Sequence, residues 1–84
     1  MKLPKNIWDQ LKSKTADDLV SALRKDKWIL DVTRGAEQIY RHPSGKRVSI
    51  HYHPKKTYGQ SLLKALLADI GWSTIDMVRL KFIK

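Results

Sequence analysis

Gln38-Ile39-Tyr40-Arg41-His42-Pro43-Ser44-Gly45-Lys46-Arg47-Val48-Ser49-Ile50-His51-Tyr52 is the stretch on which the fold turns. Two β-rich runs flank a Pro-Ser-Gly-Lys segment, the pattern of antiparallel strands joined by a tight turn. Strands are expected over residues 38–42 and 47–52. With Ser44-Gly45 as a two-residue tip, Ile39 falls opposite Ile50 and Arg41 opposite Val48. Ile39, Val48 and Ile50 then share the buried face. In that register Glu37 faces Tyr52, Gln38 faces His51 and Ala36 faces His53. One consequence survives a small slip: Glu37, His51, His53 and the lysines that follow gather at the end of the hairpin away from its tip.

Working outward, Trp28 to Thr33 reads as a further strand, closed by a turn at Arg34-Gly35. Upstream, Thr15-Ala16-Asp17-Asp18 has the form of a capping box: a hydroxyl for the orphan amides and an acid three residues on. Leu19, Val20, Ala22 and Leu23 supply an apolar stripe, and Arg24, Lys25 and Lys27 suit the C-terminal end, so a helix is expected over about 16–26. Downstream, Thr57-Tyr58-Gly59-Gln60 reads as a second capping box, opening a helix with Leu62, Leu63, Leu66, Leu67 and Ile70 apolar and Gly71 as its stop. Ser73-Thr74-Ile75-Asp76 caps a short C-terminal helix that runs into a basic tail, Arg79 to Lys84. Residues 1–14 read as an N-terminal arm in which Asn6 to Leu11 form one helical turn, Ile7, Trp8 and Leu11 finding cover on a single domain of residues 15–84. The fold class is α+β, of order αβββα: a three-stranded antiparallel sheet with helices on one face, plus a short C-terminal helix.

The chain has 84 residues, enough for one core, and 42% of them are hydrophobic, which argues against wholesale disorder. With no cysteine, neither a disulfide framework nor a Cys-based zinc site is available. No apolar run approaches the roughly 20 residues of a membrane span, and there is no signal-like segment, so a cytoplasmic protein without a membrane partner is expected. Charge sets the functional class. Seventeen Lys and Arg stand against eight Asp and Glu, a net +9. Gln38 to Ala68 contains no acid at all, while Arg41, Lys46, Arg47, Lys55, Lys56 and Lys64 fall within it. Such a stretch draws phosphate and favours polyanion binding by counterion release, and RNA is the expected partner.

Lys55 and Lys56 precede the expected N-cap of the second helix, where free N–H groups and the helix dipole add to their charge; Lys64 extends that track one turn on. The alternative is a solvated lysine pair. His51 and His53 share a strand face. As metal ligands they lack a third partner and sit in a field that repels divalent cations, and two-metal nuclease chemistry needs carboxylates this region does not have, so no metal or other cofactor is expected. As acid–base groups the imidazoles are better suited. Glu37, the one carboxylate near them, can act as general base on a ribose 2′-hydroxyl while an imidazole protonates the leaving 5′-oxygen, chemistry that needs RNA and no metal. Its structural alternative is an ion pair with Arg34 or Arg41. His42 reads as a turn residue. Tyr40, Tyr52 and Tyr58 either stack on bases or complete the core, to which Trp28 and Trp72 are assigned.

These residues together resemble the HicA (YcfA-like) toxin family of bacterial toxin–antitoxin pairs. The resemblance rests on Leu19-Val20-Ser21-Ala22-Leu23, on Trp28, and on Gly35 to Val48. It continues through Tyr52-His53-Pro54-Lys55-Lys56-Thr57 and Leu62-Leu63-Lys64-Ala65-Leu66-Leu67, so it covers roughly Asp18 to Gly71. It implies a small double-stranded-RNA-binding-like domain that acts as a metal-independent mRNA endoribonuclease until a HicB-type antitoxin covers its active face. The family's catalytic His lies in a Gly-Ser-His motif at the start of the second strand. Here that motif reads Gly35-Ala36-Glu37, so Glu37 stands in the His position. Either Glu37 takes the base role with His53 or His51 assisting, or nuclease activity is weakened or lost while RNA and antitoxin binding persist. An ordinary double-stranded-RNA-binding module is the competing fold, although its Gly-Pro and His loop between the first two strands is missing. A DNA-binding regulator is a third class, but no helix-turn-helix is legible.

Overall fold

The computed structural model describes residues 4–84. Helix α1 (Lys5–Leu11) leads into α2 (Ala16–Lys25), strands β1 (Ile29–Arg34), β2 (Glu37–Arg41) and β3 (Arg47–His51), α3 (Gln60–Ile70) and α4 (Thr74–Arg79). From α2 to α3 the order is αβββα. The sheet is antiparallel with spatial order β1-β2-β3. Helices cover one face, and a single core joins Leu19, Val20 and Leu23 of α2 to Tyr40, Val48 and Ile50 of the sheet and Leu63, Leu66, Leu67 and Ile70 of α3. The expected arm is a two-turn helix, and its Ile7 and Leu11 are buried in that same cluster with Trp8 packed against it.

Local chemistry accounts for most element ends. The Thr15 hydroxyl accepts the Asp18 N–H at 3.2 Å while the Asp18 carboxylate accepts the Thr15 N–H at 2.9 Å, and Ser73 with Asp76 repeats the device at α4. At the other ends of α2 and α4 the chain closes in a left-handed residue that is lysine rather than glycine. Lys27 (φ 70°) and Lys81 (φ 60°) take that position. The Trp28 and Phe82 N–H groups reach back to the Leu23 and Met77 carbonyls at 3.0 and 2.9 Å, and both aromatic rings land in the core. The expected basic tail is therefore half core: Leu80, Phe82 and Ile83 are buried while Arg79, Lys81 and Lys84 are exposed. Asp26 ties α2 to the C-terminal part. Its carboxylate accepts from the Trp72 indole at 2.7 Å, the Trp28 indole at 3.3 Å and Arg79 at 3.4 Å.

The hairpin register differs from the expected one by one residue. Glu37 pairs with His51, Gln38 with Ile50, Ile39 with Ser49, Tyr40 with Val48 and Arg41 with Arg47. The loop is the cause. Pro43-Ser44-Gly45 forms a three-residue connection, closed by His42 N–H to Lys46 C=O and Gly45 N–H to His42 C=O, both 2.9 Å. Gly45 takes φ 97°, the left-handed position that such loops require after a type I turn. Because strand faces alternate, this shift turns Ile39 away from the core and brings Tyr40 in, 1% exposed. The Tyr40 hydroxyl is satisfied by donating to Gln38 Oε1 at 2.7 Å.

The second capping box is also corrected. Thr57 forms an isolated antiparallel bridge with Thr15, and Tyr58 is buried with its hydroxyl donating to the His51 carbonyl at 3.2 Å. Those demands keep the chain extended through Tyr58, so α3 starts at Gln60 with Gly59 as N-cap and no side-chain cap. Gly71 (φ 85°) ends it as expected.

Candidate functional site

The sheet face turned away from the helices carries Glu37, Ile39 and Arg41 from β2 and Arg47, Ser49 and His51 from β3. The corrected register sets Glu37 directly across the ladder from His51 on this open face. Glu37 Oε2 accepts the Ser49 hydroxyl at 2.9 Å. Among the described residues Glu37 forms no ion pair with Arg34 or Arg41. Extended backbone carries His53 onto the same side as His51. Their Nε2 atoms lie 3.2 Å apart and their ring centroids 4.9 Å, with the planes inclined by 59°. Glu37, His51 and His53 are all exposed. Ser49, on the same face and two residues before His51, is the partner that the sequence reading missed. The alternation of β3 contained that signal.

Tyr52 points the other way. Its N–H extends the ladder to the Ala36 carbonyl at 2.6 Å, and its hydroxyl donates to Asp17 at 2.5 Å, which raises the phenol pKa. Burial raises those of Tyr58 and Tyr40. Tyr40 and Tyr58 are core residues, so neither is free to stack on a base.

Lys55 and Lys56 do not stand at the start of α3, as expected, but in a turn that leads toward it. That turn lies against the start of α2: Pro54 and Lys56 carbonyls accept the Asp17 and Ala16 N–H groups at 3.2 and 2.8 Å. These orphan amides of α2 are therefore filled by backbone rather than left for phosphate. Both lysine side chains are exposed, and among the described residues neither forms an ion pair. Lys64 is half-buried on α3. Arg41 and Arg47 lie at the tip end of the open face, where both reach one carboxylate, Asp31, at 3.7 and 3.5 Å. Asp31 is the extra residue at an irregularity in the β1–β2 pairing, between Leu30 and Val32. Lys46 crosses to Gly71, where a Cβ would collide with its ammonium, and so sits at the negative end of α3. Arg41, Lys46 and Arg47 thus lie toward the tip end of the hairpin, Lys55 and Lys56 beyond its other end, and Lys64 in the first half of α3.

Among the described residues no group of three or more ligand-type side chains converges, and no helix is long and apolar enough to cross a membrane. A family profile described as the HicA toxin of bacterial toxin–antitoxin matches residues 16–72. The chain belongs to the HicA toxin family. No curated protein matches it. The HicA match takes in Glu37, His51, His53 and all six candidate cations, and leaves α1 and α4 as flanking helices whose apolar residues complete the core.

Proposed function

We propose that this HicA-family chain binds RNA in the cytoplasm and cleaves it without a metal ion, under the control of a HicB-type antitoxin. The observation that carries this reading is the placement of Glu37 across from His51 on an open, cationic face, with a second imidazole 3.2 Å from the first. Glu37 takes the proton of a ribose 2′-hydroxyl, whose oxygen attacks the adjacent phosphorus. His53, or His51 behind it, donates a proton to the departing 5′-oxygen. The products are a 2′,3′-cyclic phosphate and a 5′-hydroxyl, so DNA is not a substrate. Ser49 holds the carboxylate. Lys55 and Lys56 attract the backbone, and an antitoxin with an acidic surface complements the same face.

Labelled single-stranded RNA incubated with purified protein in EDTA tests this reading. Cleavage is expected, falling by roughly 100-fold or more in Glu37→Ala and His53→Ala, the usual contribution of a positioned acid or base. Intact RNA together with salt-sensitive binding supports the second reading, a non-catalytic RNA-binding or antitoxin-docking protein. The Glu at the family's His position favours that reading.

A further inference from the structure

We infer that His51 and His53 form a chelate for a borderline-soft divalent ion such as Zn2+, and that this ion inhibits the chain rather than serving it as a cofactor. The convergence of the two rings carries the argument. Residues i and i+2 of an extended segment share a face, which does not by itself bring their side-chain tips together. Here each ring directs Nε2 at the other, 3.2 Å away, and neither makes another side-chain hydrogen bond among the described residues. In a tetrahedral site with metal–nitrogen bonds of about 2.0–2.1 Å, two ligand nitrogens lie about 3.3–3.4 Å apart. Right-angled coordination at the same bond length brings them to about 2.9 Å. The observed separation falls between these limits, so an ion can enter with small ring rotations and no backbone movement.

Without an ion, this contact needs one ring to donate and the other to accept. An ion gives both nitrogens the same partner. Glu37, opposite His51 and, among the described residues, held only by Ser49, is the nearest carboxylate by ladder position and can supply an oxygen after a change of rotamer, with water completing the shell. Lys55 and Lys56 oppose the ion, but both side chains are exposed and their repulsion is screened over about 8–10 Å at moderate salt. That repulsion is the same for any divalent ion, but imidazole nitrogens bond a borderline ion far better than Mg2+ or Ca2+, which need oxygen ligands. With two histidines and one mobile carboxylate, the dissociation constant is expected on the order of micromolar.

The inhibitory half of the inference rests on the RNA-cleavage reading, because the ion occupies the nitrogens assigned to proton transfer. The chelate itself does not. Zn2+ titrated into the full chain, followed by calorimetry and by imidazole nitrogen shifts, separates the two. One ion per chain is expected, with Nε2 of His51 and His53 shifting and His42 unchanged. The dissociation constant should rise at least tenfold in His51→Gln and in His53→Gln, remain in His42→Gln, and show no counterpart with Mg2+. Because both histidines are exposed, an unchanged melting temperature in each variant confirms that it is folded. Wild-type affinity in His53→Gln, or a shift confined to His42, overturns the chelate. If the RNA assay in EDTA shows cleavage, Zn2+ should stop it at the concentration that half-fills the site. Cleavage indifferent to a filled site overturns the inhibition, whereas a filled site on a chain that never cleaves RNA leaves the chelate standing and removes the nuclease reading.

Discussion

At the tip of the β2–β3 hairpin the His42 ring packs tilted against Trp28, centroids 5.2 Å apart, and its Nδ1 accepts the Ser44 N–H at 3.1 Å. Close by, Lys46 lies on the end of α3, and Asp26 takes donors from two indoles and Arg79. At the far end of the same hairpin, among the described residues, Glu37 has one hydroxyl, His51 and His53 have each other, and Lys55 and Lys56 have no acid. Both ends therefore bring together acids, imidazoles and lysines. Only the tip embeds them between elements distant in sequence. A polar group held in that way contributes to stability and gives up its freedom to meet a ligand. A group bonded only to its exposed neighbours adds little to stability and stays available.

This contrast is tested most severely by thermal unfolding. Asp26→Ala removes the shared acceptor of two indole N–H groups and a guanidinium, and is expected to cost about 2–3 kcal/mol, or a fall of roughly 10–20 °C in a domain of this size. Glu37→Gln and His53→Gln should stay within about 0.5 kcal/mol of the parent. Equal losses at the two ends would break the comparison. The pH dependence sharpens it. Burial works against the charge of Asp26, but the Trp72, Arg79 and Trp28 donors outweigh it, and the carboxyl pKa is lowered. Asp76 is lowered as well, by the Ser73 amide and hydroxyl. A carboxylate depressed by folding adds stability that is present above its unfolded value, ordinarily about 3.8–3.9, and is lost as pH falls through the folded value. Acid unfolding below about pH 4 should therefore be shallower in Asp26→Ala than in the parent.

How far these ends were legible in the sequence follows the same division. Short-range chemistry was readable: the Thr15 and Ser73 caps and the Gly71 stop need only neighbours in the chain, and the gathering of Glu37 with His51 and His53 needs only the hairpin. What failed needed partners elsewhere. Thr57 has the form of a cap, but Thr15 claims it for a bridge, and burial of Tyr58 delays α3 by two residues. The register turned on whether Pro43 belongs to the strand or to the loop, and alternation alone cannot decide that when Ile39 and Tyr40 are both acceptable core residues. Asp26, seen only as one charge near a helix end, became a hub because Trp72 and Arg79 arrive from some fifty residues away. Left-handed lysines at 27 and 81 carry no signal that separates them from any exposed lysine.

The loop itself provides the next test. Among the described residues a Cβ at Gly45 meets nothing within 4 Å, so Gly45→Ala is expected to cost only its left-handed backbone. The expected loss is about 1 kcal/mol, measured by chemical denaturation. The nitrogen shifts of His51 and His53 at the far end should be unchanged. A larger loss, or a spread of shifts into the far end, would mean that the three-residue loop sets the geometry of the Glu37, His51 and His53 cluster as well as the register.

The smallest expected effect concerns the cations. Arg41 and Arg47 share Asp31 over an exposed surface, so each pair is worth well under about 1 kcal/mol to folding, and Asp31→Asn should barely move the melting temperature. Its effect should appear in RNA binding. Each lysine or arginine that neutralises a phosphate of single-stranded RNA adds about 0.7 to the slope of log affinity against log salt. Lys55→Gln and Lys56→Gln should each remove about that amount, and Arg41→Gln or Arg47→Gln distinctly less, because their charge is already partly answered. Freed by Asp31→Asn, the arginines become available, so the slope should steepen and binding at low salt should tighten a few-fold. If instead Asp31→Asn changes nothing while Arg41→Gln matches Lys56→Gln, RNA competes successfully for the arginines in the native chain. The open face then acts as one surface from the tip to Lys56, and the division between its two ends belongs to the free protein alone.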